Sequence, residues 1–314
     1  MKILFVCSGN NGLSPITRNQ GDSLVAVGNI VSYFLIEGNG VRGYFTNISK
    51  LRLFLKKNTF DIIHAHYSLT AFVASIAGAN PLVVSLMGSD VKQGWAYKML
   101  IKVAAWVFRW KQIIVKSEDM QKSLGMKGTL VIPNGVNTER FKPMDKAESQ
   151  KRLGWDSSMT HILFPSNPKR PEKNYELLRA SVEQLGRNDI EVHFFVNVPN
   201  EETPYWYNAA DVVAMSSLWE GSPNAIKEAM ACNCVIVSTD VGDVKWLLGD
   251  SKGAYISDLK LENYSDSLNK AIHYCKEKDG LNLCSRVDTL GISSRVIAEK
   301  LINIYRNETT IRTK

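Results

Sequence analysis

The sequence predicts an α/β protein made of two doubly wound, parallel-sheet domains in series, and three observations carry that expectation. The chain has 314 residues, more than one hydrophobic core usually organises, because domains run to about 100–200 residues. Short apolar runs alternate along it with stretches of helical pattern long enough to cross back over a sheet, as parallel strands covered by helices on both faces require. The alternation pauses at Pro133-Asn134-Gly135 and Phe141-Lys142-Pro143, turn formers that mark a boundary near residues 140–150. The expected domains are therefore residues 1–145 and 146–314, with the last helix able to pack back on the first domain.

In the first domain, apolar runs predict strands at residues 3–7, 30–36, 62–66, 82–86, 113–115 and 130–132. Helical spacing fills the gaps at 20–27, 49–57, 69–77 and 96–110, each long enough for a crossover. The second series has strands at 162–164, 192–196, 212–215, 235–238 and 254–256, and helices at 175–185, 224–231, 244–248 and 261–276. No internal repeat or low-complexity tract interrupts them. In open α/β sheets ligands bind beyond the carboxyl ends of the strands, so the strand-to-helix loops are where function is sought.

Composition is that of a globular protein, 45% hydrophobic and 22% charged, which excludes disordered and fibrous classes. The opening apolar run, residues 3–7, is shorter than a signal-peptide core. No stretch reaches about 18 uninterrupted apolar residues, and the nearest, 95–110, contains Lys98, Lys102 and Arg109. The expectation is a cytoplasmic protein, not integral to a membrane, whose five cysteines are reduced thiols. Cys232 and Cys234 lie one residue apart without a second ligand pair at metal-binding spacing and read as structural. His161, His193 and His273 also read as structural. Charge is uneven: residues 1–150 hold 18 Lys/Arg against 9 Asp/Glu, and the remainder 20 against 22. A basic first half suits an anionic partner such as a phosphate-bearing acceptor, anionic lipid or nucleic acid, or a solubilising surface. Helix 96–110 adds to this, because Lys98, Lys102 and Arg109 share one face while Met99, Val103, Trp106 and Trp110 form an apolar stripe. It reads either as a core helix with a basic edge or as a docking element for an anionic membrane.

Three loops carry candidate chemistry. The first, Ser8-Gly9-Asn10-Asn11-Gly12-Leu13-Ser14-Pro15, permits close backbone approach to a ligand but lacks the G-x-G-x-x-G spacing of a dinucleotide site. The second, residues 164–174, sets Lys169, Arg170 and Lys173 at a helix N-terminus, where cations oppose the dipole unless an anion such as phosphate lies between them. The third runs from Ser216 through Glu220-Gly221-Ser222-Pro223-Asn224 to Glu228. Small residues here open a helix and offer backbone donors to phosphate or sugar oxygens, while Glu228 can accept from vicinal hydroxyls such as those of ribose. Eight positions along a helix span about 12 Å, so Glu220 and Glu228 are poor evidence for a glycosidase pair.

Ser217-Leu218-Trp219-Glu220-Gly221 with Glu228-Ala229-Met230-Ala231, followed by residues 235–242, resembles the E-x7-E signature of the group 1 (family 4) retaining glycosyltransferases. His64-Ala65-His66, Gly88-Ser89-Asp90, residues 131–143, Pro171-Glu172-Lys173-Asn174 and residues 207–212 match as well, so the likeness runs along most of the chain. It implies a GT-B architecture, two Rossmann-like domains facing across a cleft. It also implies a nucleotide sugar held mainly by the second domain, with Arg170 and Lys173 at the diphosphate, Glu228 at the ribose and the Gly12–Leu13 loop over the diphosphate from the other side. Ser222, Pro223 and Asn224 belong to the same donor site. Glu220 would face the donor sugar or its phosphate and forms the catalytic set with Asp90, beside the reacting sugar, and with His66, which as the end of a strand in the basic domain is read as lining the acceptor site. The chain departs from the family where Ser166-Asn167 stand in place of Gly-Arg and where Met87 stands in place of His before Gly88. It has no D-x-D to hold a divalent cation against the diphosphate. The resulting expectation is a metal-independent, cofactor-free hexosyltransferase acting with retention. Its partners are a nucleotide sugar, a glycan or lipid-linked acceptor and an anionic membrane surface, but not nucleic acid. It would work in the cytoplasm, peripheral to the inner face of the membrane, in cell-surface polysaccharide synthesis. The alternatives are an epimerase or phosphorylase of the same fold, or a non-catalytic carbohydrate-binding protein.

Overall fold

The structure, a computed structural model, describes the chain except for Asn11, Asn39, Lys278 and residues 311–314; Asn11 of the first predicted ligand loop thus lies outside the described residues. The chain divides into two units, one formed by Met1–Gly135 together with the segment from Ser294 onward, the other by Val136–Ser293. The first unit is built on a parallel sheet of β1 (Lys2–Ser8), β2 (Ile30–Ile36), β3 (Ile62–His66), β4 (Leu82–Ser85), β5 (Gln112–Val115) and β6 (Leu130–Val131), in the order β2-β1-β3-β4-β5-β6. Ile3, Leu4, Phe5 and Val6 are fully buried; a central strand covered on both faces reads as a continuous apolar run instead of alternating. The helices are α1 (Pro15–Ala26), α2 (Gly40–Lys57), α3 (Ser68–Ala77), α4 (Ser89–Lys92), α5 (Trp95–Val107) and α6 (Glu118–Leu124). Helix α1 starts before the expected residue 20 because Ser14 caps it, its Oγ accepting from Thr17 N at 3.2 Å, with Pro15 at the first helical position. Helix α5 stops at Val107, short of the expected 110: Arg109 turns to φ 51° and Trp110 drops into the core, its Nε1–H donating to Ser75 Oγ at 2.8 Å.

The second unit contains α7 (Lys146–Leu153), β7 (Thr160–Phe164), a 3-10 turn at Pro171–Lys173, α8 (Tyr175–Leu185), β8 (Ile190–Phe194), α9 (Thr203–Ala209) and β9 (Val212–Met215). It continues with α10 (Asn224–Ala231), β10 (Val235–Thr239), α11 (Val244–Leu248), β11 (Ala254–Ser257), α12 (Leu261–Glu277) and α13 (Leu283–Leu290). Its parallel strands lie in the order β11-β10-β9-β7-β8. Alternating strand residues feed a core on each face. Leu163, Val213 and Ile236 pack with Tyr207, Met230 and Leu283, while Ile162, Val212 and Val237 pack with Tyr264 and Leu268.

The last helix, α14 (Ser294–Thr310), packs against α1. Its Ile297, Ala298, Leu301, Ile302 and Tyr305 share a core with Ile3, Phe5 and Ile62 of the first unit. The boundary falls at 135/136, ahead of the expected 145/146, because the intervening residues are bonded into the second unit. Phe141 packs edge-on to Tyr207 at 5.9 Å, and Met144 N donates to Asn208 Oδ1 at 2.7 Å. Among the described residues no helix is long and apolar enough to cross a membrane. Helix α5 nevertheless leaves Trp95, Met99, Leu100, Val103 and Trp106 exposed, Trp95 at 80% and Trp106 at 82%, while Ile101, Ala104 and Ala105 form its buried side.

Candidate active site

Three loops of the second unit, following β7, β9 and β10, are stitched together at the carboxyl edge of its sheet. Leu218 N donates to Glu172 O at 2.9 Å, Ser216 Oγ donates to Asn174 O at 2.8 Å and Thr239 Oγ1 donates to Ser217 O at 2.7 Å. Gly242 (φ +61°) fits its place because a Cβ there would lie 2.7 Å from Gly221 O and 3.1 Å from Glu220 O. Within this frame Lys173 and Glu220 form an ion pair, both side chains mostly buried, and Ser217 Oγ donates to the same carboxylate at 3.0 Å. Asn174, next to Lys173, takes the left-handed conformation that Asn tolerates and opens α8. Arg170 lies at the surface, where its Nε donates to Glu172 Oε1 at 2.8 Å. Of the predicted phosphate cations, Lys173 is thus joined to Glu220, while Arg170 is held apart by its own acid.

The loop then enters α10. Pro223 stands at the N-cap and Asn224 at the first helical position. No side chain caps this helix, which leaves its first N–H groups for an external acceptor. Ser222 turns instead to Asp243, donating to Oδ2 at 2.6 Å. Glu228, one turn in, accepts from the hydroxyl of fully buried Tyr207 at 2.8 Å through Oε2. Burial pushes its carboxyl up to about 7, against the opposing influence of that bond and of Arg140 and Lys227. Lys227 is itself fully buried, and burial lowers its ammonium to about 8 despite the pull of Asp243 and Glu228. In the sequence Tyr207 has no role beyond opening the matched segment 207–212, and Lys227 and Asp243 were not singled out; the adjacency of Lys227 to Glu228 was the signal at hand.

In the first unit, the loop after β1 places Gly12 at φ +73°, its N–H donating to Gly9 O at 2.8 Å, with Leu13 partly buried beside the start of α1. The loop is tied to the end of β2 through Asn10, whose Oδ1 accepts from Gly38 N at 2.8 Å. His66 ends β3, is 5% exposed, and stacks on His64 at 4.4 Å. Its Nε2 has no hydrogen-bond partner among the described residues, and burial holds the ring down to about 3, so it is neutral at physiological pH. His64 is spoken for, bonded to Tyr305 at 2.6 Å and Ser85 at 2.8 Å. Next to His66, Tyr67 holds φ 94°, a backbone region uncommon outside glycine that clusters at functional sites.

Asp90 differs from the expectation of a sugar-facing group. It is fully buried, with both oxygens occupied by Ser68 N at 2.9 Å, the Ser68 hydroxyl and Met87 N, and burial raises its carboxyl to about 6. It clamps the loop after β4 to the start of α3. Ser68 and Tyr97, bonded to each other at 2.6 Å, complete that cluster. Among the described residues the only group of three or more His, Cys, Asp or Glu with metal-ligand spacing is His161, Glu191 and His193, away from all these loops.

Two parallel-sheet units with this loop set define a GT-B type protein. The chain belongs to the group 1, family 4 glycosyltransferases: the model described as "Glycosyltransferase Family 4" matches residues 2–140, and that described as "Glycosyl transferases group 1" matches residues 161–274. Among curated proteins it is 26% identical over 242 residues to a putative teichuronic acid biosynthesis glycosyltransferase of Bacillus subtilis, covering 68% of this chain and 61% of that relative. It is 24% identical over 307 residues to a phosphatidylinositol N-acetylglucosaminyltransferase subunit of Saccharomyces cerevisiae, covering 84% and 67%. Among solved structures it resembles a sucrose-phosphate synthase from Thermosynechococcus elongatus, with a TM-score of 0.83 at 17% identity over 98% of this chain and 99% of that one. It also resembles HepE of Anabaena in complex with UDP, at 0.74 and 17% over 98% and 100%.

Proposed function

We propose that this protein is a retaining, metal-independent glycosyltransferase. It takes a hexose or N-acetylhexosamine from a nucleoside diphosphate sugar and gives it to a glycan or lipid-linked acceptor in cell-surface polysaccharide synthesis. The observation that carries this reading is the joining of Lys173 and Glu220 beside the uncapped start of α10, because a cation and free backbone N–H groups suit a departing diphosphate. Glu228 takes the ribose hydroxyls through Oε1, the oxygen Tyr207 does not use. Glu220 orients Lys173 and meets the sugar, and Arg170 closes on phosphate by leaving Glu172. In the first unit, the unpartnered Nε2 of neutral His66 receives an acceptor or sugar hydroxyl, Asp90 positions the surrounding loop, and Gly12 and Leu13 present backbone to the diphosphate. Charge stabilisation by these groups replaces that of a metal, and a phosphate oxygen takes the acceptor proton as the new bond forms on the face the nucleotide leaves.

The names of similar proteins support the substrate classes. HepE was solved with UDP and with UDP-glucose, and an Escherichia coli relative, 23% identical over 75% of this chain, is named for transfer from UDP-Gal to a diphosphoundecaprenol-linked sugar. A membrane-borne acceptor accords with the exposed apolar face of α5, which its half-buried Lys98 and Lys102 border. The test is transfer from UDP-, GDP-, ADP- and TDP-sugars to lipid-diphosphate-linked acceptors, with and without chelator, reading the anomeric configuration of the product. Product with the donor's anomeric configuration, formed equally with chelator, is the expected result. Inversion, or activity lost to chelator and restored by Mg²⁺ or Mn²⁺, overturns the mechanism, and release of free or epimerised sugar alone favours the other enzymes of this fold.

A further inference from the structure

On the face of the second sheet that packs beneath α7 and α9, three potential ligands converge where the sequence suggested only structural histidines. His161 on β7 is paired in register with Glu191 on β8, and His193 follows two residues later on the same side of that strand. His161 Nδ1 lies 3.0 Å from His193 Nε2 and 3.5 Å from Glu191 Oε2, and the third edge, His193 Nε2 to Glu191 Oε2, is 3.7 Å. Tetrahedral zinc with Zn–N near 2.0–2.1 Å sets its ligand atoms about 3.3 Å apart, so the three atoms already form one face of such a polyhedron.

The surroundings are those of a ligand set, not of a loose polar cluster. His161 Nε2 faces Asp156 O at 2.8 Å, which puts the proton on that nitrogen and leaves Nδ1 with its lone pair toward the other two groups. Trp155 stacks flat on His193 at 3.5 Å and 7°, and Trp206 stands edge-on to both, at 5.5 Å from Trp155 and 6.3 Å from His193, so the His193 ring is held between fixed neighbours. Burial is graded: the side chain of His161 is fully buried, that of His193 17% exposed and that of Glu191 43% exposed. Solvent therefore reaches the site from the Glu191 side, where it can supply a fourth ligand.

We propose that His161, Glu191 and His193 bind one divalent ion of the zinc class, with water in the fourth position. Two imidazoles and one carboxylate select borderline ions over magnesium. Without metal, the N–H at His193 Nε2 donates to His161 Nδ1; binding moves that proton to Nδ1 of the same ring, so both imidazoles ligate as neutral groups, and ties edge strand β8 to β7. Two of the three ligands, His161 and Glu191, are each the second residue of its strand, and all three lie within the strands themselves. The loops assigned to the nucleotide sugar follow the carboxyl ends. The ion is thus a clamp on the fold, independent of the reading of those loops.

The test is calorimetric titration of untagged, metal-stripped protein with Zn²⁺ and with Mg²⁺, alongside Co²⁺ absorption spectra, for the native chain, Glu191→Gln and His193→Gln. Glu191 is the most exposed of the three ligands, so its variant should fold even if the other does not. Expected are one Zn²⁺ per chain, an upward shift in Tm, low-coordinate Co²⁺ bands without thiolate charge transfer, no response to Mg²⁺, and affinity lower by at least about tenfold in Glu191→Gln. The absence of stoichiometric Zn²⁺ binding overturns the proposal, as do equal affinities in native and Glu191→Gln protein or Co²⁺ spectra showing cysteine ligation. Nucleotide binding is measured on the same samples; it is expected to persist after stripping, which separates this clamp from the donor site.

Discussion

Glu228 joins a burial effect to its proposed role at the ribose, and the two have opposite pH dependences. Its folded-state carboxyl is raised to about 7, above the ordinary range, so the native state holds the proton more tightly than the unfolded chain. The resulting stability is fully present below the unfolded value and is lost as pH rises through about 7, a swing on the order of 3 kcal/mol. Glu228→Gln is therefore expected to unfold at a higher temperature than the native protein at pH 8 and to show little difference at pH 4.5, as checked by thermal melts at both values. Ribose binding runs the other way, because the ionised carboxylate is the better acceptor. Affinity for the correct nucleotide should strengthen as pH rises through about 7 in the native protein and lose that dependence in Glu228→Gln. A pH-independent native affinity would remove Glu228 from the ribose site. For Lys173→Ala, which deletes a charge-assisted bond of about 1.5–3 kcal/mol, nucleotide affinity measured calorimetrically should fall roughly ten- to a hundredfold. The residue types at these positions were legible in the sequence. That Arg170 is held by Glu172, and that Asp90 is consumed by Ser68 and Met87, was not, because side-chain partners are chosen by contacts that spacing does not encode.

Helix α5 shows how far an element can be read before it is seen. Its period and its basic residues were plain, but a helix between two strands reads equally as core. In the structure Ile101, Ala104 and Ala105 turn inward with Tyr97 packed beside them, while Trp95 and Trp106 stand out in solvent. Exposed aromatic residues beside Lys98 and Lys102 make the docking reading the stronger one, since each cation near anionic lipid contributes about 1 kcal/mol and aromatic rings favour the interface. Sedimentation with anionic liposomes should deplete the native protein and leave Trp95→Glu/Trp106→Glu and Lys98→Glu/Lys102→Glu in the supernatant. Equal sedimentation of all three would assign the helix a structural role only. The loop between β10 and α11 makes a different demand. Gly242→Ala would press a methyl against Gly221 O and strain a left-handed backbone, so it should lower Tm by an amount equivalent to about 1–3 kcal/mol and weaken nucleotide binding as the Glu220 loop shifts.

At the scale of the whole chain, the first unit is completed by residues from the far end of the sequence. Five side chains of α14 lie in its core and Tyr305 bonds His64. Each buried Leu or Ile lost from such a site costs about 2–5 kcal/mol, so deletion of α14 removes more than a total stability of about 5–15 kcal/mol can absorb. A chain ending at Ser293 is expected to be insoluble or to lose the cooperative melt of the first unit while the second persists, as read by calorimetry. The sequence alone determined the fold class, the identity of most strands and the loops on which the proposed site is built. Strand burial, helical period and turn residues act over a few neighbouring positions, so they are written locally. Only the tertiary structure decided where the units divide, that α14 takes the place on the first unit which the sequence left open to it, that α5 leaves Trp95 and Trp106 in solvent, and that His161, Glu191 and His193 share one point. Those outcomes depend on which surfaces meet after the chain has crossed between strands, and residues 30 or 240 positions apart carry no local signal of their meeting.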